Sequence, residues 1–409
     1  MGCSVNSLKG FTVLELSQRQ TIIIAIFVLF LGKFLNKHIS FLKEFNIPEP
    51  VTGGMVASLI TGALYLMFDY VVEFELNARD QFLLIFFTTI GLSARFTSLK
   101  QGGRGLLILL VLAIIYLVLQ NLTGIAVSQF TGLPSAAGVL GGSVSLSGGH
   151  GTAIAWAPIF SSRYGIENAM EIGIACATFG LVLGGVLGGP IAQFLIKRHQ
   201  LSGQQASAVA ISGDYSQGEK ISVETILNCV LVISIAIGLG LQLNRLLASL
   251  GLALPEFVTA LFAGIVLTNS VPMMIKSINW PTGTHSLNLI SDVSLGLFLA
   301  MSLMSLQLWT LTALAGPILV LLFAQVVVIT LFVMFVVFRL MGKDYDAAVI
   351  ASGYIGLGLG ATPTAIANMN AVTDKFGVSA KAFIIVPLVG AFFIDIANAL
   401  IIQFMLNQM

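Results

Sequence analysis

Ser147-Gly148-Gly149-His150-Gly151-Thr152 and Gly358-Leu359-Gly360-Ala361-Thr362-Pro363 stand at matching places in the two halves of a very apolar chain. Around the first, residues 138–152 hold six glycines and three serines, and around the second, residues 353–360 hold four glycines. Each glycine costs ~1 kcal/mol relative to alanine inside a helix, so both stretches are expected to interrupt helices. At membrane depth, interrupted backbone persists only where protein buries it or where it lines a cavity. The two stretches are therefore the expected substrate site.

Composition places the chain in a membrane. It has 409 residues, of which 57% are hydrophobic and 9% charged, with a mean hydropathy of +0.98, whereas a soluble domain carries roughly 25% charged residues. The lipid bilayer is the expected surrounding. A net charge of +1 and no basic stripe with interleaved aromatics give no nucleic-acid signature. Cys3, Cys176 and Cys229 fit no metal or redox spacing, and the last two read as small apolar fillers. The start, Met1-Gly2-Cys3-Ser4-Val5-Asn6, lacks the hydroxyl residue that an acylation signal needs at position six. Thr21 to Leu35 has neither a basic region before it nor a small-residue cleavage site, so it reads as a retained span.

Hydropathy gives ten spans. Those of the first half are 20–37, 51–68, 81–98, 105–128 and 170–196, and those of the second are 222–244, 254–272, 287–308, 313–340 and 382–406. Between the fourth and fifth span of each half lies a glycine-rich segment, 137–162 and 347–372, best fitted by a re-entrant hairpin. With both termini outside, fourteen lysines and arginines fall inside and only Lys9, Arg19, Arg79, Arg163 and Arg245 fall outside, which fixes the orientation. The chain then divides into an N-terminal extracytoplasmic segment 1–19, a first repeat 20–196, a cytoplasmic linker 197–221 and a second repeat 222–409.

The word repeat is justified by order and spacing. Pro48-Glu49-x-Val51-Thr52 answers Pro255-Glu256-x-Val258-Thr259, Ser135-Ala136-Ala137 answers Asp346-Ala347-Ala348, and Arg163-Tyr164-Gly165-Ile166 answers Lys375-Phe376-Gly377-Val378. Five spans per half is an odd number, so the halves must insert with opposite orientation. Inverted repeats meeting near the bilayer midplane are the plan of many secondary transporters. The expected fold class is thus an all-α polytopic membrane protein of two inverted-topology repeats, five transmembrane helices each, with a re-entrant hairpin loop in each.

The hairpin tips carry the chemistry. Thr362 before Pro363 reads as a helix N-cap, and Thr152 holds the matching place. Two half-helix N-termini, with free backbone N–H groups and favourable dipoles, could hold two carboxylates. His150 within the first tip is either a proton-changing contact or a neutral structural donor. Asp395 lies fourteen residues beyond Lys381, ~21 Å along a helix, with Asn398 on the same face. A carboxylate that deep reads as functional, for a hard cation such as sodium, for a proton, or for an internal arginine partner.

Other features read as structural. Glu49 and Glu256 are helix-start carboxylates, and Asp80 and Asp292 read as caps. Gly180, Gly184 and Gly188, with Gly185 and Gly189, mark tight helix contacts. Arg95 and Arg163 read first as interface charges, and Gly356-x-Gly358-x-x-Ala361 lacks the strand context of a dinucleotide site. A channel would want a continuous polar pore, and an enzyme a motif such as H-E-x-x-H or G-x-S-x-G, which the chain lacks.

At both tips the chain resembles the bacterial sodium/glutamate symporter family. The resemblance is carried by Ser145 to Thr152, by Gly358 to Met369, by Val386 to Asp395, by Pro48-Glu49-Pro50 and by Cys176 to Gly185, and it runs from about residue 20 to 405. It implies a symporter, not an enzyme, that imports L-glutamate with sodium through the bacterial inner membrane, as a homodimer and with an elevator-like movement. No cofactor is expected beyond Na+ as coupling ion. Ser147, Gly148, Gly149, His150, Gly151, Thr152, Gly360, Ala361, Thr362, Thr364 and Asn368 are then expected around the substrate. Asp395, Asn398, Ser145 and Gly358 are expected around sodium. A proton- or sodium-coupled carrier of another dicarboxylate or amino acid is the nearest alternative.

Overall fold

The structure, a computed structural model, describes residues 4–8, 11–44, 47–95, 98–202, 221–249, 254–275, 280–306 and 315–409. Most of the expected linker, together with Cys3, Lys9, Lys220 and Lys276, lies outside the described residues.

In chain order the elements are β1 (Ser4–Leu8), β2 (Phe11–Leu16), α1 (Gln18–His38), α2 (Ser40–Glu44), α3 (Glu49–Phe68), β3 (Tyr70–Phe74) and α4 (Asn77–Ser93). Next come α5 (Ser98–Thr131), α6 (Ser135–Val139), α7 (Gly149–Tyr164) and α8 (Ala169–His199). The second half holds α9 (Val223–Ser249), α10 (Glu256–Met274), α11 (His285–Met304), α12 (Ala315–Phe332), α13 (Phe338–Leu340), α14 (Tyr345–Leu359), α15 (Thr362–Phe376), α16 (Ala380–Leu388) and α17 (Ile394–Leu406). Five-residue π-helical turns extend α6 (Leu140–Val144), join α12 to α13 (Val333–Val337) and join α16 to α17 (Val389–Phe393).

Among the described residues, eight helices are long and apolar enough to cross a membrane: α1, α3, α5 from Gly103 onward, α8, α9, α10, α11, and α12 continued by α13. All eight coincide with expected spans. The other two differ from expectation. Helix α4 covers 17 residues and ends at Ser93, short of the expected 98, and the span 382–406 is interrupted by its π turn. Phe27, Phe323 and Phe404 are each at least 65% exposed, as side chains bathed by hydrocarbon are.

The N-terminal segment, expected only as an extracytoplasmic stretch, forms a small sheet of order β1-β2-β3. Strand β2 pairs antiparallel with β1 (Ser4 opposite Glu15) and parallel with β3 (Thr12 opposite Tyr70). Asp69 ends α3 in the left-handed conformation and turns the chain into β3.

The helices fall into two compact units, and each unit draws on both halves of the sequence. One holds β1–β3, α1–α4 and α9–α11, and the other holds α5–α8 and α12–α17. In the first unit the same local device appears twice. Asn36 at the end of α1 donates to the Ile47 carbonyl (2.6 Å), and Asn244 near the end of α9 donates to the Leu254 carbonyl (2.8 Å). Each carbonyl belongs to the residue before a proline, Pro48 or Pro255, that caps the next helix, and Glu49 and Glu256 open α3 and α10 as expected. The unit's cores join α1, α4 and α11 through Ala25, Val28, Ala78 and Met301, and α4, α9 and α11 through Leu92, Cys229, Ile233 and Leu287. Thr284, not Asp292, caps α11: its hydroxyl accepts from the Leu287 N–H (3.2 Å), while Asp292 is exposed in the third turn.

The second unit is centred on Trp156, Tyr116, Tyr354 and Phe160, all fully buried. Here the small-residue ridge of α8 does what its spacing implies. A Cβ on Gly180 would collide with the Leu359 carbonyl oxygen, and one on Gly188 would collide with the Asn368 amide. The second ridge is not a contact at Gly189, where a Cβ would meet nothing.

Candidate functional site

Both glycine-rich stretches lie in the second unit, and each is a helix, a break and a second helix. At the first, α6 runs into the π turn, where Gly142 leaves helical geometry (φ −95°, ψ −126°). The chain resumes as α7 at Gly149, whose φ of +67° is a left-handed value that favours glycine. The second tip is interrupted far less than composition implies. Gly353, Gly356 and Gly358 all lie inside α14, and the break is confined to Gly360 and Ala361. The three glycines make room instead of breaking the helix. A Cβ on Gly353 would stand 2.7 Å from the Met369 sulfur, on Gly356 2.7 Å from the Ala365 nitrogen, and on Gly358 2.7 Å from Ile329.

The two helix starts differ by a few residues from the expected caps. The N-cap of α7 is Gly148, so Thr152 is its fourth residue, and the N-cap of α15 is Ala361, so Thr362 is its first. Gly149 can take a left-handed φ, which lets α7 begin four residues early, and the fully extended Ala361 completes the second break before Thr362. The chemical consequence is favourable. No side chain caps either helix, so the first-turn N–H groups are not consumed by hydroxyls. Each tip therefore presents backbone donors and the positive end of a helix dipole, the arrangement that binds anions.

A buried amide network brings the tips together. Gln120, in the second half of α5, donates from Nε2 to the Gly358 carbonyl (2.9 Å) and accepts at Oε1 from the Ser147 hydroxyl (2.6 Å). That hydroxyl is also 3.2 Å from the Gly358 carbonyl. Asn121 Oδ1 accepts from the Ser143 N–H (2.8 Å), and Gln325 of α12 donates to the Gln120 carbonyl (2.8 Å). A Cβ on Gly149 would stand 3.6 Å from the Gly360 carbonyl oxygen. The last span reaches both tips: Asn398 Nδ2 of α17 donates to the Ser143 carbonyl (2.9 Å), and a Cβ on Gly390, in the π turn before α17, would stand 2.7 Å from Thr362 Oγ1.

The expected residues thus separate into those a ligand can reach and those that hold the tips. Gly148, Gly149, Gly151, Ala361 and Thr362 are half-buried, whereas Ser145, Ser147, His150, Thr152, Gly358, Gly360, Thr364 and Asn368 are buried. Ser147 is committed to Gln120. His150 Nε2 lies 3.0 Å from Thr178 Oγ1 of α8. Asn368 donates to the Gly184 carbonyl (2.9 Å), bracing α15 against α8.

The sodium set is mixed. The Gly358 oxygen accepts from Gln120 Nε2 (2.9 Å), with the Ser147 hydroxyl 3.2 Å away but donating its one hydrogen to Gln120. Ser145 donates to the Leu140 carbonyl (2.5 Å) and keeps its lone pairs. Asn398 Oδ1 and Ser143 Oγ are buried without a hydrogen-bond partner, and Asp395 is half-buried directly after a π turn, a distortion common at functional sites. Oxygens left unsatisfied at this depth suit a hard cation. Ser143, Gln120, Asn121, Gln325 and Thr178 were not singled out from sequence. A signal existed for two of them: Gln120 and Gln325 are 205 residues apart, close to the spacing of the repeat.

Residues 14–378 match the family described as sodium/glutamate symporter. The sodium/glutamate symporter of Escherichia coli (strain K12) is 44% identical over 386 residues, covering 94% of this chain and 96% of that protein. The sodium/glutamate symporter of Haemophilus influenzae is 42% identical over 393 residues, covering 95% of this chain and 96% of its own length.

Proposed function

The chain belongs to the sodium/glutamate symporter family, and from that premise we infer that it carries L-glutamate inward across the bacterial inner membrane together with sodium. The observation that supports this most directly is the meeting of two uncapped helix starts and the last helix within one unit. In this reading the two hairpins re-enter the bilayer from opposite faces. The N–H groups at Gly149 to Gly151 and at Thr362 hold the two carboxylates of the substrate, with the Thr362 hydroxyl as a further donor. Asp395, Asn398 Oδ1, Ser145 and Ser143 Oγ hold sodium. The protein works as a homodimer, with both termini outside and an elevator-like movement of the unit that carries both tips.

Sodium has an energetic task. Glutamate carries a net charge of −1, and moving it inward against a negative interior costs ~2.3 kcal/mol per 100 mV. Two or more sodium ions per glutamate make the moving complex positive, and the same voltage then drives it inward.

Sealed vesicles containing the purified protein are expected to accumulate labelled L-glutamate above the external concentration when sodium is supplied outside only. Accumulation driven by a proton gradient without sodium would identify the other carrier class, and equilibration without accumulation would identify a channel. Thr362→Ala is expected to raise the KM for glutamate about tenfold, because a hydrogen bond to a charged group contributes roughly 1.5–3 kcal/mol. Sodium activation measured at saturating glutamate should be little changed. A wild-type KM would argue against substrate contact at this tip.

A further inference from the structure

We propose that the cleft where α8 and α13 end is a binding site for one anionic phospholipid. The cleft measures about 360 Å³, and Arg198, His199, Arg339 and Lys343 line its mouth. All four are exposed, and among the described residues none of them forms an ion pair with a carboxylate. The adjacent acid, Asp344, is engaged in capping α14, where its Oδ1 accepts the Ala347 N–H at 2.7 Å. Lys343 is held beside the cleft by a left-handed φ of +55° and a backbone bond from its N–H to the Phe338 carbonyl (3.0 Å). Only a few per cent of residues other than glycine take positive φ.

Three full positive charges and an imidazole on two neighbouring helix ends make a locally positive mouth that favours an anion. The walls identify that anion. Phe194 and Phe335 are 46% and 52% exposed, each one helical turn before the arginine that lies over it. The Arg198 guanidinium is 5.9 Å from the Phe194 ring centroid, and that of Arg339 is 5.6 Å from the Phe335 centroid. An inorganic anion would use the cations and leave these rings untouched. A phospholipid uses both, with its phosphate at the basic mouth and an acyl chain along the rings. The distribution of lysine and arginine puts both helix ends at the cytoplasmic face, where basic pockets between membrane helices take anionic headgroups.

The test is native mass spectrometry of the full-length protein in detergent, titrated with phosphatidylglycerol or with phosphatidylcholine of the same acyl chains. Wild type is expected to retain one phosphatidylglycerol per chain at concentrations where it retains no phosphatidylcholine. Each basic group near an anionic surface is worth about fivefold in affinity, so R198Q/R339Q should need about 30-fold more lipid. K33Q/K37Q, in the other unit, should behave as wild type. If the double variant does not fold, R339Q alone, with an expected shift of about fivefold, replaces it. Equal retention by wild type and variant overturns the proposal, as does an equal loss in K33Q/K37Q. Displacement of the lipid by millimolar inorganic phosphate would also overturn it, because the cleft would then recognise a free anion.

Discussion

Asp395→Asn is expected to raise the sodium concentration that half-activates glutamate uptake about 100-fold. That corresponds to ~3 kcal/mol, the lower end of what removing one partner of a buried charge pair costs. The exchange keeps size and one carbonyl oxygen while removing the charge and turning the second oxygen into an NH2 donor, so it separates electrostatic from steric roles. Asp395 follows the π turn Val389–Phe393, and Asn398, one turn on, is tied to the first break through the Ser143 carbonyl. Losing the carboxylate should therefore weaken the ion first, and glutamate only as far as the ion supports it. Uptake into vesicles with the membrane potential clamped, measured over a range of sodium at fixed glutamate, reads this directly. Asp292→Asn, at an exposed position in the other unit, serves as the control. Unchanged sodium activation in the Asp395 variant would remove that residue from the ion site.

The second large effect concerns folding. A Cβ on Gly138 would collide with the Gly124 carbonyl group and lie 2.5 Å from the Ile125 nitrogen, and a Cβ on Gly124 would collide with the Gly138 carbonyl. These are backbone atoms on both sides, so no side chain can turn away to make room. Overpacking a core ordinarily costs 1–3 kcal/mol, and a backbone clash inside α5 and α6 should exceed that range. Gly138→Val is expected to yield no folded protein, and Gly138→Ala to lower stability by about 3 kcal/mol or more. Gly189→Ala, where a Cβ meets nothing within 4 Å, should be neutral or slightly stabilising, because alanine is the better helix former. Thermal unfolding in detergent compares the three, and equal midpoints for Gly138→Ala and wild type would refute the packing argument.

Much of the fold was legible because a membrane span announces itself by length and hydropathy, and eight expected spans are helices of that kind. The first break was legible too, since Gly141, Gly142, Gly148 and Gly149 leave little to sustain a helix. The second was misplaced for an informative reason. Glycine spaced for close packing and glycine that breaks a helix look alike in a sequence, and only the neighbours Met369, Ala365 and Ile329 distinguish them. The amide network was illegible for a different reason. A single glutamine in an apolar span names no partner, and the carbonyls to which Gln120 and Asn398 donate lie more than 200 residues away. The small N-terminal sheet was hidden by its brevity and by pairing with β3, more than 50 residues onward.

That separation along the chain has a consequence for biosynthesis. The bonds Gln120 to Gly358, Asn398 to Ser143 and Asn368 to Gly184 span 238, 255 and 184 residues. At 5–20 residues per second, the early members wait roughly 10–50 s for the late ones to leave the ribosome. During that interval Gln120 Nε2, the Ser143 carbonyl and the Gly184 carbonyl are without these late partners. A translation arrest between residues 200 and 310 should therefore leave a nascent chain that depends on insertion machinery or chaperones to shield its polar groups, and that is prone to degradation when they are scarce.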